Sequence, residues 1–233
     1  MIPPPASEVL HGPVAALVQR CGAPTAAASR DDGQHVVFRS GGATLDAIVD
    51  DHATVHAIEL TFPDGTPYAT TVEGTPHRFV FGETTSNAAR DELSASAETD
   101  GANFRTFRRD AGSDLVLVFD ARTSALAHVI VGDRATLLRL GYVPDPSPVQ
   151  QRFPYVAPVL RHTAVPDGSG PRATIVRVDV DRRGGVRDVA VMIGSGDPAF
   201  DAGLPARLAH DRYAPATLAG RAIAAGALRE MRH

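Results

Sequence analysis

The fold is decided by residues 173–217, which read ATIVRVDVDRRGGVRDVAVMIGSGDPAFDAGLPARLAHDRYAPAT. From 174 to 181, mostly apolar residues alternate with mostly polar ones, and a period of two is typical of a strand with one apolar face. The adjacent Gly184 and Gly185 come next, and either glycine can adopt the positive φ of a tight turn. Because the apolar alternation returns over 189–193, the sequence predicts an antiparallel hairpin.

A helix is predicted directly after this hairpin. Asp197 can cap the exposed N–H groups at the start of the helix, and Pro198 suits the first helical turn. Phe200, Leu204 and Leu208 then recur at helical spacing. A proline inside this helix, at position 205, removes one backbone hydrogen bond, so we expect a kink or a split there.

The order of these motifs resembles the C-terminal domain of the TonB family. That family combines a strand ending in V-x-V-D, a glycine turn, S-G-[DN]-x-x-[LF]-D, a helix and [WY]-x-[FP]-x-P-A. The matching residues here include Gly185, Ser195, Gly196, Asp197, Asp201, Tyr213 and Pro215. The resemblance covers about the last third of the chain and implies a ββαβ domain. It also implies that a sheet edge grips an extended segment of an outer-membrane transporter.

The partner-binding edge is predicted at a last strand over residues 221–228. Backbone groups on an open sheet edge can pair with the backbone of a partner. The alternative is a closing strand that is buried in a dimer or against the N-terminal domain. The residues assigned to the edge are Arg221, Ile223, Ala224, Ala225, Ala227 and Leu228.

The N-terminal part, residues 8–142, contains the same order of predicted elements twice. Helices are predicted over 9–20 and 85–97, and a loop rich in Gly, Pro and Thr over 63–77. Each helix precedes three strands, at 35–39, 43–50 and 55–62 and again at 104–108, 114–120 and 126–131. This pattern predicts a tandem helix-plus-antiparallel-sheet repeat, which buries its apolar faces by pairing. It is similar to the tandem modules of β-lactamase inhibitor proteins and to outer-membrane assembly lipoproteins.

Prolines mark the predicted domain boundary. Residues 143–172 carry seven of the eighteen prolines, which predicts a semi-rigid linker before a C-terminal domain over 173–233. The spacer is much shorter than that of a full TonB. The predicted fold class is therefore α+β, with an N-terminal tandem repeat followed by a TonB-like domain.

Composition narrows the function classes. A net charge of −4 gives no signal for nucleic-acid binding, and no apolar run approaches the ~18 residues of a membrane-spanning helix. The N-terminus lacks the regions of a secretory signal. The alternatives are a cytosolic protein or a periplasmic or secreted one whose leader or anchor is absent from the chain, and the resemblance favours the second.

Candidate catalytic and metal motifs are better explained structurally. Residues 194–199 match G-x-G-x-x-A, but a dinucleotide site needs a βαβ unit, and capping accounts for Asp197. His52 and His56 are four residues apart, but not on one helix, so no metal is predicted. The lone Cys21 is interpreted as a buried thiol.

We therefore expect a non-enzymatic protein without a cofactor. Its expected partner is another protein, either an extended peptide or a transporter segment, or a second copy of the chain. The alternative function is an inhibitor or assembly module that binds its partner through the N-terminal tandem sheets.

Overall fold

A computed structural model describes residues 3–4, 6–30, 33–93, 97–100, 103–109, 112–120, 122–143, 155–165 and 173–232. The protein is α+β and divides into two compact units, Met1–Leu137 and Leu138–His233. None of the described helices combines the length and the apolar run that a bilayer crossing requires.

Within its described residues, the first unit contains an eight-stranded antiparallel sheet and a separate hairpin. The strands are β1 (Ala26–Arg30), β2 (Gly33–Ser40), β3 (Ala43–Val49), β4 (Val55–Thr61), β5 (Pro67–Val72), β6 (Thr75–Val80), β7 (Ala97–Asp100), β8 (Phe104–Arg108), β9 (Ser113–Phe119) and β10 (Leu126–Asp133). The helices are α1 (Ala6–Val9), α2 (Val14–Cys21) and α3 (Ser86–Leu93), and α4 (Arg134–Leu140) spans the border between the units.

The strand order in this sheet is β1-β2-β3-β4-β10-β9-β8-β7, so β4 and β10 are adjacent at its centre. Each half of the sheet is a four-strand meander that follows a helix, α2 in one half and α3 in the other. The core includes Phe38, Leu60, Phe107 and Leu117, none of which is more than 1% exposed. Burial of one such side chain contributes about 1.5–3 kcal/mol, so this packing stabilises the unit strongly.

The sequence predicted six of these strands but misjudged other elements. The predicted loop over 63–77 is wrong: it contains β5 and the start of β6. Tyr68, Thr70 and Val72 are buried at alternate positions of β5, so a strand pattern is present among the Gly, Pro and Thr residues. The first predicted helix is divided into α1 and α2, and the second ends at Leu93.

The second unit contains three small antiparallel sheets among its described residues. The strands are β11 (Tyr155–Val156), β12 (Val159–His162), β13 (Ala173–Val180), β14 (Val186–Ile193), β15 (Arg212–Ala214), β16 (Ala216–Leu218), β17 (Arg221–Ile223) and β18 (Ala225–Arg232), and the helix is α5 (Pro198–Leu208). The sheets have the orders β14-β13-β18, β11-β16-β17 and β12-β15.

Helix α5 covers one face of the β14-β13-β18 sheet. Leu204 and Leu208 share a buried cluster with Val176, Val178 and Tyr213. The helix is uninterrupted over Pro198–Leu208, so of the two outcomes expected at its internal proline, a kink or a split, the split is wrong.

The proline-rich range 143–172 falls partly outside the described residues, at 144–154 and 166–172. Its described part includes β11 and β12. These strands pair with β16 and β15 of the second unit.

Candidate functional site

The predicted partner-binding edge consists of two strands. Arg221 and Ile223 lie on β17, which pairs with β16, whereas Ala225, Ala227 and Leu228 lie on β18, which pairs with β13. The prediction of one strand over 221–228 is therefore wrong, because the chain leaves strand conformation at Ala224. Among the described residues, β18 is an edge strand of the β14-β13-β18 sheet.

The hairpin between β13 and β14 fixes which backbone groups of β13 face each neighbour. The N–H of Asp181 donates to the carbonyl of Gly185 at 2.8 Å, so the backbone of Asp181 is directed towards β14. Both register shifts in this hairpin insert the extra residue in β14, which leaves β13 regular. Backbone groups of a regular strand alternate in direction, so those of Val178 and Val180 are directed towards β18.

The register then assigns the backbone directions along β18. Ala225 is opposite Val180 and Ala227 is opposite Val178, so the N–H groups of both alanines are directed towards β13. The N–H groups of Gly226 and Leu228 are directed away from β13, towards the edge of the sheet.

A side-chain contact on one face and a close backbone contact on the other hold β18 in this register. The guanidinium of Arg229 donates to the fully buried carboxylate of Asp211 at 2.6 Å and to the carbonyl of Val165 at 2.8 Å. On the other face, a Cβ at Gly226 would lie 2.1 Å from the carbonyl oxygen of Leu140, so only glycine permits this approach. The edge is therefore ordered without a bound partner.

The hairpin turn is stabilised by one aspartate and one glycine. The Asp181 carboxylate accepts hydrogen bonds from the N–H groups of Arg183 at 2.7 Å and Gly185 at 2.9 Å. The bond from Gly185 is the main reason why the pKa of Asp181 is lowered. The left-handed residue is Gly184, with φ of 83°, and a Cβ there would lie 1.9 Å from the carbonyl oxygen of Tyr213.

The S-G-D segment builds the start of α5. The Asp197 carboxylate accepts from the N–H groups of Ala199 at 3.0 Å and Phe200 at 3.1 Å, which makes Asp197 the N-cap. Asp201 accepts from the N–H of Ser195 at 3.0 Å, which joins the helix to the loop before it. The preceding strand β14 is antiparallel to β13, so this loop is not the turn of a parallel βαβ unit.

The remaining residues of the TonB-like motif lie close to the hairpin and to the start of α5. Gly196 has a positive φ of 84°, and the half-buried Pro215 separates β15 from β16. Tyr213 is 7% exposed in the cluster beneath α5, and its N–H donates to the carbonyl of Gly184 at 2.9 Å.

A second candidate site lies in the first unit and was not predicted from the sequence. His56, on β4, is bracketed by two carboxylates: its Nδ1 lies 2.6 Å from Asp133 and its Nε2 lies 3.1 Å from Asp50. His11 joins the group, with its Nε2 3.2 Å from Asp133. His11, His56 and Asp133 each offer a ligand atom, and these atoms lie within 4.8 Å of one another.

These contacts shift the pKa values of His56 and Asp50. Burial lowers the pKa of His56, but its hydrogen bonds to Asp50 and Asp133 outweigh burial, and the net pKa is raised. The hydrogen bond from His56 is the largest cause that lowers the pKa of Asp50 to about 2. His52, which the sequence paired with His56, is 89% exposed and lies outside the group.

The sequence contained one signal for this site. Gly132 interrupts the apolar run of β10, and a Cβ there would lie 2.5 Å from the Cβ of Ala57, so β4 and β10 approach closely one residue before Asp133. The third member, His11, lies in the turn between α1 and α2, and no local pattern connects it to the strands.

Cys21 is half-buried and packs against the core of the first unit. Burial raises the pKa of its thiol, which keeps the thiolate fraction low. Cys21 is thus less buried than the sequence interpretation of a buried thiol expected.

No protein-family model and no curated protein matches the chain. One similar solved structure is a cysteine-rich secretory protein from Staphylococcus aureus subsp. aureus Mu50, at 12% identity and a TM-score of 0.38 over 62% of this chain and 55% of that one. Another is an extracellular protein containing an SCP domain from Bacillus anthracis str. Ames, at 16% identity and a TM-score of 0.42 over 63% of this chain and 53% of that one. The chain thus covers about half the length of each.

Proposed function

We propose that this chain is a non-enzymatic protein of the bacterial envelope that binds an extended segment of a partner protein by strand addition along β18. The observation that carries the proposal is the edge position of β18, with the N–H group of the half-buried Leu228 directed outward; Gly226, on the same strand, is buried against Leu140. A partner strand can accept a hydrogen bond from the N–H of Leu228 and extend the sheet by one strand.

The order of this edge lowers the cost of binding. An edge that must fold first reduces affinity by the free energy of ordering. Here the ion pair between Arg229 and Asp211 and the close approach of Leu140 to Gly226 already hold the strand. We propose that the second unit is a TonB-like domain, because β13, β14 and α5 follow one another, β18 closes their sheet after the short strands β15–β17, and the motifs of Ser195–Asp197 and Tyr213 are present.

The envelope location and the link to outer-membrane transport follow from that assignment alone. We propose in addition that the first unit is a tandem duplication, because a helix and a four-strand meander occur in the same order in both halves.

The doubled meander also favours a second candidate, an inhibitor or assembly module that binds through the N-terminal sheets. Both faces of the eight-stranded sheet are buried at its centre, which argues against a partner that binds on a sheet face. Ile48, Ala57 and Ile130 alternate with the core residues of their strands and are at most 3% exposed. A partner of the first unit would therefore need its edges or loops.

The proposal is tested by three versions of the full chain immobilised against a bacterial envelope extract: wild type, Leu228→Pro and Leu228→Ala. Proline removes the outward N–H, whereas alanine removes the same side chain and keeps the N–H. We expect a specific captured protein that binds wild type and Leu228→Ala but not Leu228→Pro. Equal capture by all three folded proteins would refute strand addition at β18, and loss of capture only when the first unit is altered would favour the second candidate.

A further inference from the structure

We propose that His11, His56 and Asp133 form a binding site for a divalent transition-metal ion of the zinc class. The site lies in the first unit and is independent of the β18 edge. It brings together a turn, the start of β4 and the end of β10.

The donor set fits this class of ion. Two imidazoles and one carboxylate are ligands that Zn²⁺ uses, with water completing the coordination. Bonds of about 2.1 Å in a tetrahedron place donor atoms roughly 3.4 Å apart. The distance from His11 Nε2 to Asp133 Oδ1 is already 3.2 Å, and all the donor atoms lie within 4.8 Å of one another. Small side-chain rotations are therefore enough to enclose an ion.

Asp50 gives His56 the orientation that a metal ligand needs. A histidine ligand commonly donates its second ring N–H to a carboxylate, which fixes its tautomer and its direction. The Nε2 of His56 lies 3.1 Å from Asp50 Oδ2, which directs Nδ1 towards Asp133. Asp50 itself is fixed, because its other oxygen accepts from the N–H groups of His52 and Thr54, both at 2.9 Å.

The backbone fixes the positions of all three ligands. Asp133 continues the register in which Gly132 is opposite Ala57, so it lies across from His56. His11 has a left-handed backbone, with φ of 62°, and its N–H donates to the carbonyl of Val55 at 2.8 Å. The exposed side chain of His11, with 61% accessible, leaves a route for solvent and for the ion.

The competing explanation is a purely ionic one. A doubly protonated His56 between Asp50 and Asp133 would account for both contacts without a metal. That arrangement does not require His11, whereas a metal site does. Variants of His11 therefore separate the two explanations.

The test is calorimetric titration of ZnCl₂ into the untagged, metal-stripped full chain. We expect one ion per chain at this site. His11→Asn should weaken binding at least tenfold, since asparagine tolerates the left-handed backbone but is too short to reach the ion. Asp50→Asn should weaken binding 10- to 100-fold, which is typical for loss of an outer-shell carboxylate.

His52→Gln is the matched control, because His52 is in the same loop but is not one of the three ligands; its exposed ring lies 4.0 Å from Asp50 Oδ2, beyond hydrogen-bond distance. Its affinity should equal that of wild type. Replacement of Zn²⁺ by Co²⁺ gives a second readout: an intense visible absorption is expected from wild type and from His52→Gln, and a weaker one from His11→Asn. Circular dichroism confirms that each variant is folded.

Absence of saturable binding to the folded wild type would overturn the proposal. So would equal affinities for wild type and His11→Asn, which would leave the ionic network as the whole explanation. Stronger loss in His52→Gln than in His11→Asn would place the ion elsewhere and would also overturn it.

Discussion

Two adjacent proline substitutions on β18 should have very different effects on stability. The N–H of Ala227 is directed towards Val178 of β13, whereas the N–H of Leu228 is directed to the sheet edge. Ala227→Pro therefore removes a ladder hydrogen bond, and Leu228→Pro does not. Proline is tolerated on edge strands only where its missing N–H faces outward.

The two substitutions differ in the interactions that they remove. Ala227→Pro loses a hydrogen bond worth about 1 kcal/mol and leaves the carbonyl of the fully buried Val178 without its partner, at about 1–3 kcal/mol. The total is roughly 2–4 kcal/mol. Leu228→Pro loses only the packing of a half-buried side chain, and the restricted unfolded chain returns about 0.4–1 kcal/mol. We expect it to cost ~1 kcal/mol.

The assay is urea unfolding of the full chain, followed by circular dichroism because the chain has no tryptophan. Leu228→Ala is the control for the lost side chain. Residue-resolved hydrogen exchange adds a direct check, with the amide of Ala227 protected and that of Leu228 exchanging faster. If Leu228→Pro were more damaging than Ala227→Pro, the derived backbone directions would be wrong, and the edge proposal would lose its basis.

Three further changes concern the hairpin and α5. Asp197→Ala should cost about 1 kcal/mol in urea unfolding, the usual loss for an N-cap, and an unchanged midpoint would contradict capping. Gly184→Ala should cost more than Asp197→Ala, since its Cβ would collide with the carbonyl of Tyr213; an equal or smaller loss would contradict that close approach. The pKa of Asp181 is lowered by folding, so its contribution is complete above the unfolded pKa of about 3.9 and is lost as pH falls through the folded value. Thermal unfolding of Asp181→Asn should therefore differ from wild type at neutral pH and converge with it in acid; the same difference at both pH values would contradict this contribution.

Sequence periodicity predicted the strands whose side chains alternate most clearly. The strand Phe104–Arg108 has the predicted bounds; β3 differs from its prediction by one residue at one end, and β9 and β13 differ by one residue at each end. Strands β3 and β13 carry apolar residues at alternate positions, whereas β9 is a continuous apolar run, and the core buries these residues. Local pattern and tertiary packing agree at these positions, so the sequence alone was informative.

Other elements depend on neighbours that local sequence does not reveal. Strand β1 reads AAASR and has no large apolar residue, but it pairs along β2 over five positions. The break at Ala224 has no glycine or proline to mark it; the tight contact of Gly226 with the backbone of Leu140 is made by residues far apart in sequence. Both features are set by tertiary packing.

The histidine site also could not be predicted from local sequence. Spacing along the chain pointed to His52 and His56, but strand pairing brings His56 to Asp133, 77 residues away, and directs His52 to solvent. A ligand set drawn from a turn and two strands has no sequence spacing of its own, because its geometry is produced by the register of β4 on β10.

The two proposals can fail independently because they rest on different units. The edge of β18 and its supports, Arg229 and Asp211, belong to Leu138–His233, whereas the three proposed metal ligands belong to Met1–Leu137. If His11→Asn abolished zinc binding and left partner capture intact, the ion would serve the first unit alone. If the same variant also abolished capture while Leu228→Pro did not, the first unit would be the binding module, and the N-terminal candidate function would replace strand addition.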